Sequence, residues 1–400
     1  MKNEEAFRAF CDKRGVTHRL RKIQETEVLA EGRVLYDGQK LVNFASNDYL
    51  GLSHHPLLVE RAQEFAAAHG TASTSSRLLN GTLPVYTKIE ERLAHGTGHE
   101  AALVMNCGHQ ANVTTLAALL DSEVIGKPVI AFIDRSCHNS QLQGIMLSGA
   151  RLMRFQHKDY DQLANLLRQQ TGKDVHLAIV SDCVFSMDGD CADLPTLIKL
   201  AHEYGAMLYI DEAHSMGLFG PDGFGMAAEY KDEIDVVMGT FGKALGSFGA
   251  FVACNGTIRD YLIQRCSGFV YSTALPPPVM GAVDAALELL PQMQSARDRL
   301  QKQAARLREA LQQQGWNCGV STTQIVPAVI GDEQATLNLA KTLRDNGILA
   351  PAVRPPTVAR EQSRLRLSLS AAHSAADIDR LIEIMGKQAA LHARPAARAS

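Results

Sequence analysis

The sequence lacks the features that mark nucleic-acid-binding, secreted and membrane proteins. Lys and Arg number 40 against 43 for Asp and Glu, and the net charge of -3 predicts no broad basic surface for nucleic acid. The 8 cysteines form no C-x-x-C pair and no regular framework, which argues against a zinc site and a disulfide scaffold. No stretch reaches the roughly 18 apolar residues of a membrane span, and the charged N-terminus has no apolar signal core. We therefore expect reduced thiols, no bound metal and a cytoplasmic location.

What the sequence does have is a globular composition and a repeated strand pattern. Hydrophobic residues make up 46% of the 400 residues and charged residues 21%, and this length predicts two domains or one large domain with a smaller partner. Short runs that are apolar nearly throughout alternate with amphipathic segments; they lie at 128–134, 176–182, 206–211, 235–240 and 249–254. Such runs indicate strands buried on both faces, so the sequence predicts an α/β fold with a mainly parallel sheet.

The pattern changes along the chain and predicts four segments. Residues 1–46 carry a helical pattern and then two short strands around an Asp-Gly turn, which predicts an N-terminal arm. Residues 47–285 hold the alternation of strands and helices and form the predicted large, cofactor-binding domain. Residues 286–390 predict a smaller C-terminal α+β domain, and the small and polar residues of 391–400 predict a disordered tail.

Two polar residues follow neighbouring apolar runs and point to a cofactor site. Asp211 ends one run, and Lys243 follows the next with no other charge between Asp235 and Arg259. Ligands of parallel sheets bind beyond the carboxyl ends of the strands. There a carboxylate keeps a pyridine-type nitrogen protonated and a desolvated amine attacks an aldehyde, which is what pyridoxal phosphate (PLP) requires. Taken singly, Asp211 is better explained as a helix cap, and a lone lysine such as Lys243 is usually a solvated surface charge.

The phosphate of such a cofactor needs backbone amides at a helix start and nearby hydroxyls. The segment 106–112 (NCGHQAN) meets this requirement, and Gly108 allows close backbone approach. Thr240 and the pair Ser272 and Thr273 are further candidates. The turn at 76–82 is more simply an ordinary glycine turn.

Several stretches, in order along the chain, resemble the α-oxoamine synthase family of fold-type I PLP enzymes. They are FASNDYLGLSHHP (44–56), CVFSMDGD (183–190), DEAHSMG (211–217), TFGKALG (240–246), VYSTALPP (270–277), VRPPTV (353–358) and RLRLSLSAAH (364–373). The likeness runs from about residue 17 to residue 385. It implies a fold-type I PLP-dependent transferase, PLP as the cofactor, and a homodimer whose active sites are shared between subunits.

The resemblance implies a role for five residues at the cofactor ring. Lys243 matches the lysine that holds PLP as a Schiff base, and Asp211 matches the partner of the pyridine nitrogen. His214 matches the histidine that binds the phenolic oxygen, with Ser186 as a second polar neighbour. His138 matches the histidine stacked on the ring; without the resemblance it reads as a histidine at a helix start.

Further contacts are implied for the phosphate and for the amino acid. Gly108, His109 and Thr240 are expected cofactor contacts within one chain, and Thr273 is expected to reach in from the second subunit. Arg366 stands in an apolar alternation, where an inward arginine is costly unless it meets an anion. It matches the family arginine that binds the amino-acid carboxylate as a bidentate fork.

Three more residues are expected to contact substrate, namely Arg21, Asn47 and Thr357. Arg21 stands beside Arg19 and Lys22, so a solvated basic face explains it equally well.

The implied reaction is a decarboxylative condensation of an amino acid with an acyl thioester of CoA or a carrier protein, giving an α-amino ketone, CO2 and free thiol. We favour L-alanine and a pimeloyl thioester. Serine with a long acyl chain, glycine with a short one, and a fatty acyl donor for a signalling amino ketone stay open, because 71–82 and the pair Gly108-His109 depart from the pimeloyl-using members. A cofactor-binding protein without catalysis is disfavoured by the intact Lys243, Asp211 and His214.

Overall fold

The computed structural model describes residues 4–16, 20–21 and 23–392 of the chain. The strands are β1 Thr26–Leu29, β2 Arg33–Tyr36, β3 Gln39–Asn43, β4 Ala101–Met105, β5 Val129–Asp134, β6 Arg151–Phe155, β7 His176–Asp182, β8 Met207–Asp211, β9 Val236–Thr240, β10 Ala250–Cys254, β11 Ile325–Gly331, β12 Ile348–Leu349, β13 Ala352–Val353 and β14 Ser363–Ser368. The helices are α1 Glu4–Val16, α2 Pro56–His69, α3 Pro84–Thr97, α4 Gly108–Leu119, α5 Ser122–Ile125, α6 Asn139–Ser148, α7 Tyr160–Arg168, α8 Leu194–Tyr204, α9 Gly256–Arg265, α10 Ser267–Val270, α11 Pro277–Leu289, α12 Gln294–Gln313, α13 Glu333–Asp345 and α14 Ala375–His392.

The largest sheet has seven strands in the order β4-β10-β9-β8-β7-β5-β6. Strands β9, β8, β7, β5 and β6 are parallel neighbours, and β10 runs antiparallel to β4 and β9. The mainly parallel sheet that the apolar runs predict is therefore confirmed, and each of the five runs contains one strand. Strands β4 and β6 lie at the two edges of the sheet and were not predicted. β6 is not an apolar run, since Arg151 and Arg154 are exposed, whereas β4 is apolar throughout and was missed despite this pattern.

Both faces of this sheet are buried because alternate residues of a strand enter two different cores. On β8, Leu208 and Ile210 belong to the larger core, which also holds Leu197 of α8. Tyr209, between them, belongs to the core on the other face, with Leu116 of α4. Helices cover the two faces, and polar groups are left to the strand ends, as expected for parallel sheets.

The N-terminal strands pair with the C-terminal part of the chain and not with the large sheet. β1, β2 and β3 form an antiparallel meander, and Asp37 (φ 48°) and Gly38 (φ 73°) make the two-residue turn between β2 and β3. β3 then pairs in parallel with β12. The arm therefore lies against the segment that was predicted to be the small domain.

The C-terminal region contains a three-stranded antiparallel sheet in the order β11-β14-β13 together with α12, α13 and α14. Ser368 at the end of β14 donates its backbone N–H to Phe44 O (2.9 Å), and Ala371 donates to Tyr49 O (2.7 Å). These bonds bring β14 beside the segment 44–49. The predicted division at residue 285 falls within α11, and the domain boundaries stay predictions.

The predicted tail, 391–400, lies largely outside the described residues, which end at 392. Within the described part of the chain, no helix combines the length and apolarity that crossing a membrane requires.

Candidate active site

The carboxyl ends of β7, β8 and β9 open into a cavity of ≈ 190 Å³. Because these strands are parallel neighbours, the polar residues that end them meet at one edge of the sheet. The cavity brings together most of the residues singled out in the sequence. It is lined by Gly108, His109, His138, Ser186, Asp211, His214, Thr240 and Lys243, with Asn112, Ser140, Asp182, Ala213 and Met238 between them.

Asp211 is 5% exposed and its carboxylate is held by three N–H donors. Oδ2 accepts from Asn112 Nδ2 (2.7 Å) and from Gln141 Nε2 (3.0 Å), and Oδ1 accepts from the backbone N–H of Ala213 (2.8 Å). Asn112 is itself oriented by Tyr209, whose hydroxyl donates to Asn112 Oδ1 (2.8 Å). These hydrogen bonds fix the orientation of the Asp211 carboxylate, and Asp211 lines the cavity.

A second buried carboxyl group, Asp182, stands directly beside Asp211. The two residues are register partners on β7 and β8, and Gln141 Nε2 donates to both carboxyl groups. Burial, and then the neighbouring charge of Asp211, raise the pKa of Asp182 well above its usual value. Asp182 is therefore the member of the pair that holds a proton, since two adjacent buried carboxylates cannot both ionise without a large cost.

Lys243 begins a chain of hydrogen bonds that ends at Arg366. Lys243 Nζ lies 2.9 Å from His214 Nε2, and His214 Nδ1 lies 2.7 Å from Tyr49 Oη. Tyr49 Oη lies 3.0 Å from Asn47 Oδ1, which also accepts from Arg366 (3.2 Å). One proton arrangement satisfies every group: Lys243 donates to His214, His214 to Tyr49, and Tyr49 to Asn47.

Burial sets the protonation of the two groups nearest the cavity. It lowers the pKa of Lys243 to about 8, although the charge of the nearby Asp211 opposes the change. Burial, and then the positive charge of Lys243, lower the pKa of His214 well below its usual value. At neutral pH His214 is thus uncharged, and Lys243 has the readily available neutral amine that attack on an aldehyde needs.

His138 lies both at a helix start and in the cavity. It is the N-cap of α6, where its Nδ1 accepts from the backbone N–H of Ser140 (3.3 Å) and lies 2.7 Å from Ser140 Oγ. Burial lowers the pKa of His138, with Asp211 acting in the opposite direction. The cap holds one edge of the ring, and the ring lines the cavity.

The start of α4 supplies the backbone amides that a phosphate needs. Gly108 and His109 are its first two residues, whose N–H groups have no acceptor within the helix. Thr240 faces this helix start across the cavity, but its hydroxyl donates to Gly249 O (2.9 Å) and accepts from the N–H of Gly242 (3.1 Å). Thr240 can bind a phosphate oxygen as a donor only if it gives up the bond to Gly249.

Arg366 is 6% exposed and its contacts are all to neutral oxygens. Nε donates to Ser186 O (2.5 Å), and one terminal nitrogen donates to Ser368 Oγ (2.6 Å) and to Asn47 Oδ1 (3.2 Å). The other donates to Tyr49 Oη (3.4 Å). Among the residues that the structure describes, no carboxylate lies within ion-pair distance of Arg366, so this buried cation is open to an anion from outside the protein.

Three predicted residues lie away from the cavity of their own chain. Thr273 is exposed, and its carbonyl accepts from Asn106 Nδ2 (2.8 Å). Arg21 is exposed on the short segment between α1 and β1. Thr357 is exposed in the turn before β14, where its N–H donates to Arg354 O (3.1 Å).

Sequence reasoning missed four residues that organise the site, namely Asn112, Gln141, Asp182 and Tyr49. Asp182 ends an apolar run just as Asp211 does, and this position was the available signal. Asn112 and Tyr49 lie in the segments 106–112 and 44–56, which the sequence analysis had singled out, but their hydrogen bonds in the site, like those of Gln141, depend on how these elements pack against the strand ends.

The residues present fit PLP. A buried carboxylate lies at the end of one strand, a desolvated lysine follows the next, and a neutral histidine bonds that lysine. A helix start faces the same cavity, and a buried arginine without a carboxylate partner stands beside it. Together with the sheet order, these groups define a PLP-dependent transferase of fold type I.

Comparisons with known sequences agree with this class. The profile of the aminotransferase class I and II family matches residues 39–385. A Magnetococcus marinus protein provisionally named 8-amino-7-oxononanoate synthase is 51% identical over 372 residues, which cover 93% of this chain and 94% of that protein. The 8-amino-7-oxononanoate synthase of Gluconacetobacter diazotrophicus is 46% identical over 358 residues, covering 89% and 90% of the two chains.

The solved structures that resemble this chain belong to the same class of enzyme. The serine palmitoyltransferase of Sphingomonas wittichii matches with a TM-score of 0.89 and 26% identity over 98% of both chains. A variant of serine palmitoyltransferase solved with PLP gives the same TM-score, 0.89, at 26% identity over 98% of this chain and 99% of that one. The 8-amino-7-oxononanoate synthase of Francisella tularensis has a TM-score of 0.75 at 26% identity and covers 88% of this chain and 98% of its own.

The chain therefore belongs to the aminotransferase class I and II family and, within it, to the PLP-dependent α-oxoamine synthases. The predicted family, fold class, enzyme class and cofactor are thereby confirmed.

Proposed function

We propose that the protein condenses L-alanine with a pimeloyl thioester to give 8-amino-7-oxononanoate, CO2 and free thiol, a step of biotin formation. The observation that carries the proposal is Arg366, a buried cation that is open to an outside anion beside Lys243 and His214. An α-amino acid presents a carboxylate to the arginine and its α-carbon to the lysine. The names of the relatives, which are similar over about nine tenths of the chain, favour the alanine and pimeloyl pair.

Different residues of the cavity would bind different parts of PLP. Asp211 would hold the pyridine nitrogen in its protonated form, Lys243 would bond the aldehyde carbon, and His214 with Ser186 would bind the phenolic oxygen. His138 would lie against the ring, and the α4 start with Thr240 would take the phosphate. When bound, PLP supplies an electron sink that lets the α-carbon of an amino acid lose a proton or a carboxylate.

The chain's own residues then move protons and hold groups. Arg366 would bind the substrate carboxylate and fix the α-carbon within reach of Lys243. Lys243 Nζ, with a pKa of about 8, would remove the α-proton. A new bond forms between the α-carbon and the acyl carbonyl carbon while the carbon–sulfur bond breaks, and the sulfur leaves as a thiolate that takes a proton from water. The α-carbon to carboxylate bond then breaks to release CO2, and a proton from Lys243 replaces it.

A second substrate pair is kept because of one observation. The fold matches serine palmitoyltransferase more closely, at a TM-score of 0.89, than the solved 8-amino-7-oxononanoate synthase, at 0.75. Serine with a long acyl chain is therefore the alternative to be tested.

The test is an absorbance titration of the PLP-loaded protein with L-alanine, glycine and L-serine, followed by thiol and CO2 release with pimeloyl-CoA or palmitoyl-CoA. Spectral change with alanine and turnover only with pimeloyl-CoA support the proposal. Turnover with serine and palmitoyl-CoA replaces the substrate pair, and no release with any pair overturns the proposed activity. If pimeloyl-CoA alone fails, the pimeloyl carrier protein is tested before the acyl group is abandoned.

Replacing Arg366 tests the carboxylate site directly. We expect Arg366→Ala to raise the KM for the amino acid by roughly 30-fold or more, since truncating one partner of a buried charge pair costs about 2–5 kcal/mol. The KM for the acyl thioester should stay within about threefold of its original value, because the proposed partner of Arg366 is the amino-acid carboxylate and not the thioester. A tenfold change would require about 1.4 kcal/mol. Equal KM values for the amino acid in the two proteins would show that the carboxylate binds elsewhere.

We further propose that the protein is a homodimer in which Thr273 completes the partner's phosphate site. Its exposure and its position outside the cavity of its own chain support this assignment. A sedimentation measurement that gives a monomer at working concentration would contradict it. Arg21, Asn47 and Thr357 stay proposed substrate contacts, and Asn47 is the one that bonds Arg366. The predicted cytoplasmic location stays a prediction.

A further inference from the structure

Two arginines of β14 face the same three residues of the loop that follows β7. Arg364 and Arg366 are two positions apart on the strand, so their side chains project to the same face. Arg366 Nε donates to Ser186 O (2.5 Å). Arg364 donates to Met187 O (3.3 Å) and forms an ion pair with Asp188 (2.5 Å).

The two arginines differ in charge balance although both are buried. The side chain of Arg364 is 7% exposed and its partner Asp188 is 31% exposed, so this pair is partly shielded from water. Arg366, at 6% exposure, meets only neutral oxygens among the described residues. The Asp188 carboxylate is thus engaged by Arg364, whereas Arg366, which the hydrogen-bond chain joins to Lys243, has no carboxylate partner among the described residues.

The backbone around Asp188 is held in place. Gly189 O accepts from the backbone N–H groups of Thr322 (2.9 Å) and Thr323 (3.1 Å) and from Thr323 Oγ1 (2.8 Å). Gly189 has φ +69°, and a Cβ there would meet Ile325 O at 2.0 Å, so this close approach requires glycine. These contacts fix the backbone next to Asp188 beside β11, so a change of partner by the Asp188 carboxylate requires only a rotation of its side chain.

We infer that Arg364 is a positioning residue that keeps the Asp188 carboxylate away from Arg366 and so leaves Arg366 free for the carboxylate of the amino-acid substrate. The inference rests on the proposed role of Arg366. Side chains two positions apart on one face of a strand are separated by roughly 7 Å, twice the rise per residue. Once Arg364 is removed, Asp188 is left beside a buried cation that lacks a carboxylate, and pairing the two lowers the free energy of both.

The test compares Arg364→Gln with the double variant Arg364→Gln, Asp188→Asn in the PLP-loaded enzyme. In the single variant Asp188 competes for Arg366, and we expect the KM for the amino acid to rise about tenfold or more, the scale of one charge-assisted hydrogen bond. The KM for the acyl thioester should not change. In the double variant the competing charge is gone, and the KM for the amino acid should return to within about threefold of the original. The remaining difference in binding free energy would then be less than the roughly 1.4 kcal/mol that a tenfold change requires.

Arg364→Lys keeps a cation for Asp188 and should stay near the original KM. The matched control is Arg33→Gln, which breaks the partly buried ion pair with Asp377 (2.9 Å) away from the cavity and should leave the KM unchanged. A double variant as impaired as Arg364→Gln would overturn the inference, since lost structure is not restored by Asp188→Asn. An unchanged KM in Arg364→Gln would overturn it as well. If Arg366→Ala itself leaves the amino-acid KM unchanged, the proposed function has failed instead.

Discussion

His157 lies between two buried carboxylates near the carboxyl end of the large sheet. Its Nδ1 is 3.1 Å from the oxygens of Asp134, which ends β5, and its Nε2 is 3.1 Å from Asp190 Oδ2. Asp134 and Asp190 are 2% and 1% exposed, and the rings of His157 and Phe185 pack nearly perpendicular to each other with 4.4 Å between their centroids. His157 therefore links the carboxyl end of β5 to the loop after β7, which also carries Ser186.

The magnitude follows from the pKa. Burial alone would lower the pKa of His157, but the hydrogen bonds that its ring donates to Asp134 and Asp190 outweigh it and raise the pKa to about 9 from its ordinary value of 6.5. The difference corresponds to about 3 kcal/mol, at 1.36 kcal/mol for each unit of pKa. Since the folded-state pKa is the higher one, this stabilisation is fully present below pH 6.5 and is lost as the pH rises through about 9.

The perturbation is His157→Gln, which cannot take a charge. We expect the free energy of unfolding of the original protein to fall by about 3 kcal/mol more than that of the variant between pH 6.5 and pH 10. The assay is urea unfolding of both proteins at saturating PLP, followed by circular dichroism at several pH values. Parallel curves for the two proteins over this range would refute the reasoning, because another group would then carry the pH dependence.

Three further predictions concern groups in or beside the cavity. The rate at which PLP bonds to the apoprotein should rise with pH through about 8, the pKa of Lys243, and Lys243→Ala should lose turnover; a flat pH profile, or turnover in the variant, would contradict the assignment. Asp211→Asn should lower turnover by about a hundredfold or more, because the amide holds no negative charge against a ring proton, and a turnover near the original would exclude that role. Burial raises the pKa of Glu212 to about 7 from its ordinary 4.5, so its contribution to stability is lost as the pH rises through about 7, and Glu212→Gln should flatten the thermal midpoint between pH 5 and pH 8. An equally steep fall in the variant would disprove this.

How much of the site could be predicted depended on which elements carry it. Asp211 and Lys243 follow apolar runs, and a chain that buries a parallel sheet on both faces leaves polar groups only at the strand ends. Gln141 and Tyr49 were missed because they belong to a helix and a loop whose approach to the strand ends is decided by packing. Asp182 shared the signal of Asp211, but only the register between β7 and β8 shows that the two carboxyl groups are side by side.

The edges of the sheet were predicted less well than its centre. β6 is an edge strand in which Arg151 and Arg154 are exposed and interrupt the apolar residues, so it lacks the continuous apolar run that marked the central strands. An edge strand needs apolar side chains on fewer positions, and its pattern resembles that of many turns and loops.

The sequence by itself determined the family, the sheet and the chemistry of the cofactor site, because apolar runs, strand ends and ordered motifs are local properties. The apolar alternation alone did not distinguish Arg364 from Arg366, which occupy equivalent positions in one strand, and only the family resemblance singled out Arg366. The tertiary structure supplied the physical difference between them, because the loop after β7 presents a carboxylate to Arg364 and a neutral carbonyl oxygen to Arg366. The charge balance of a buried side chain depends on what packs against it, and that is fixed only when distant parts of the chain meet.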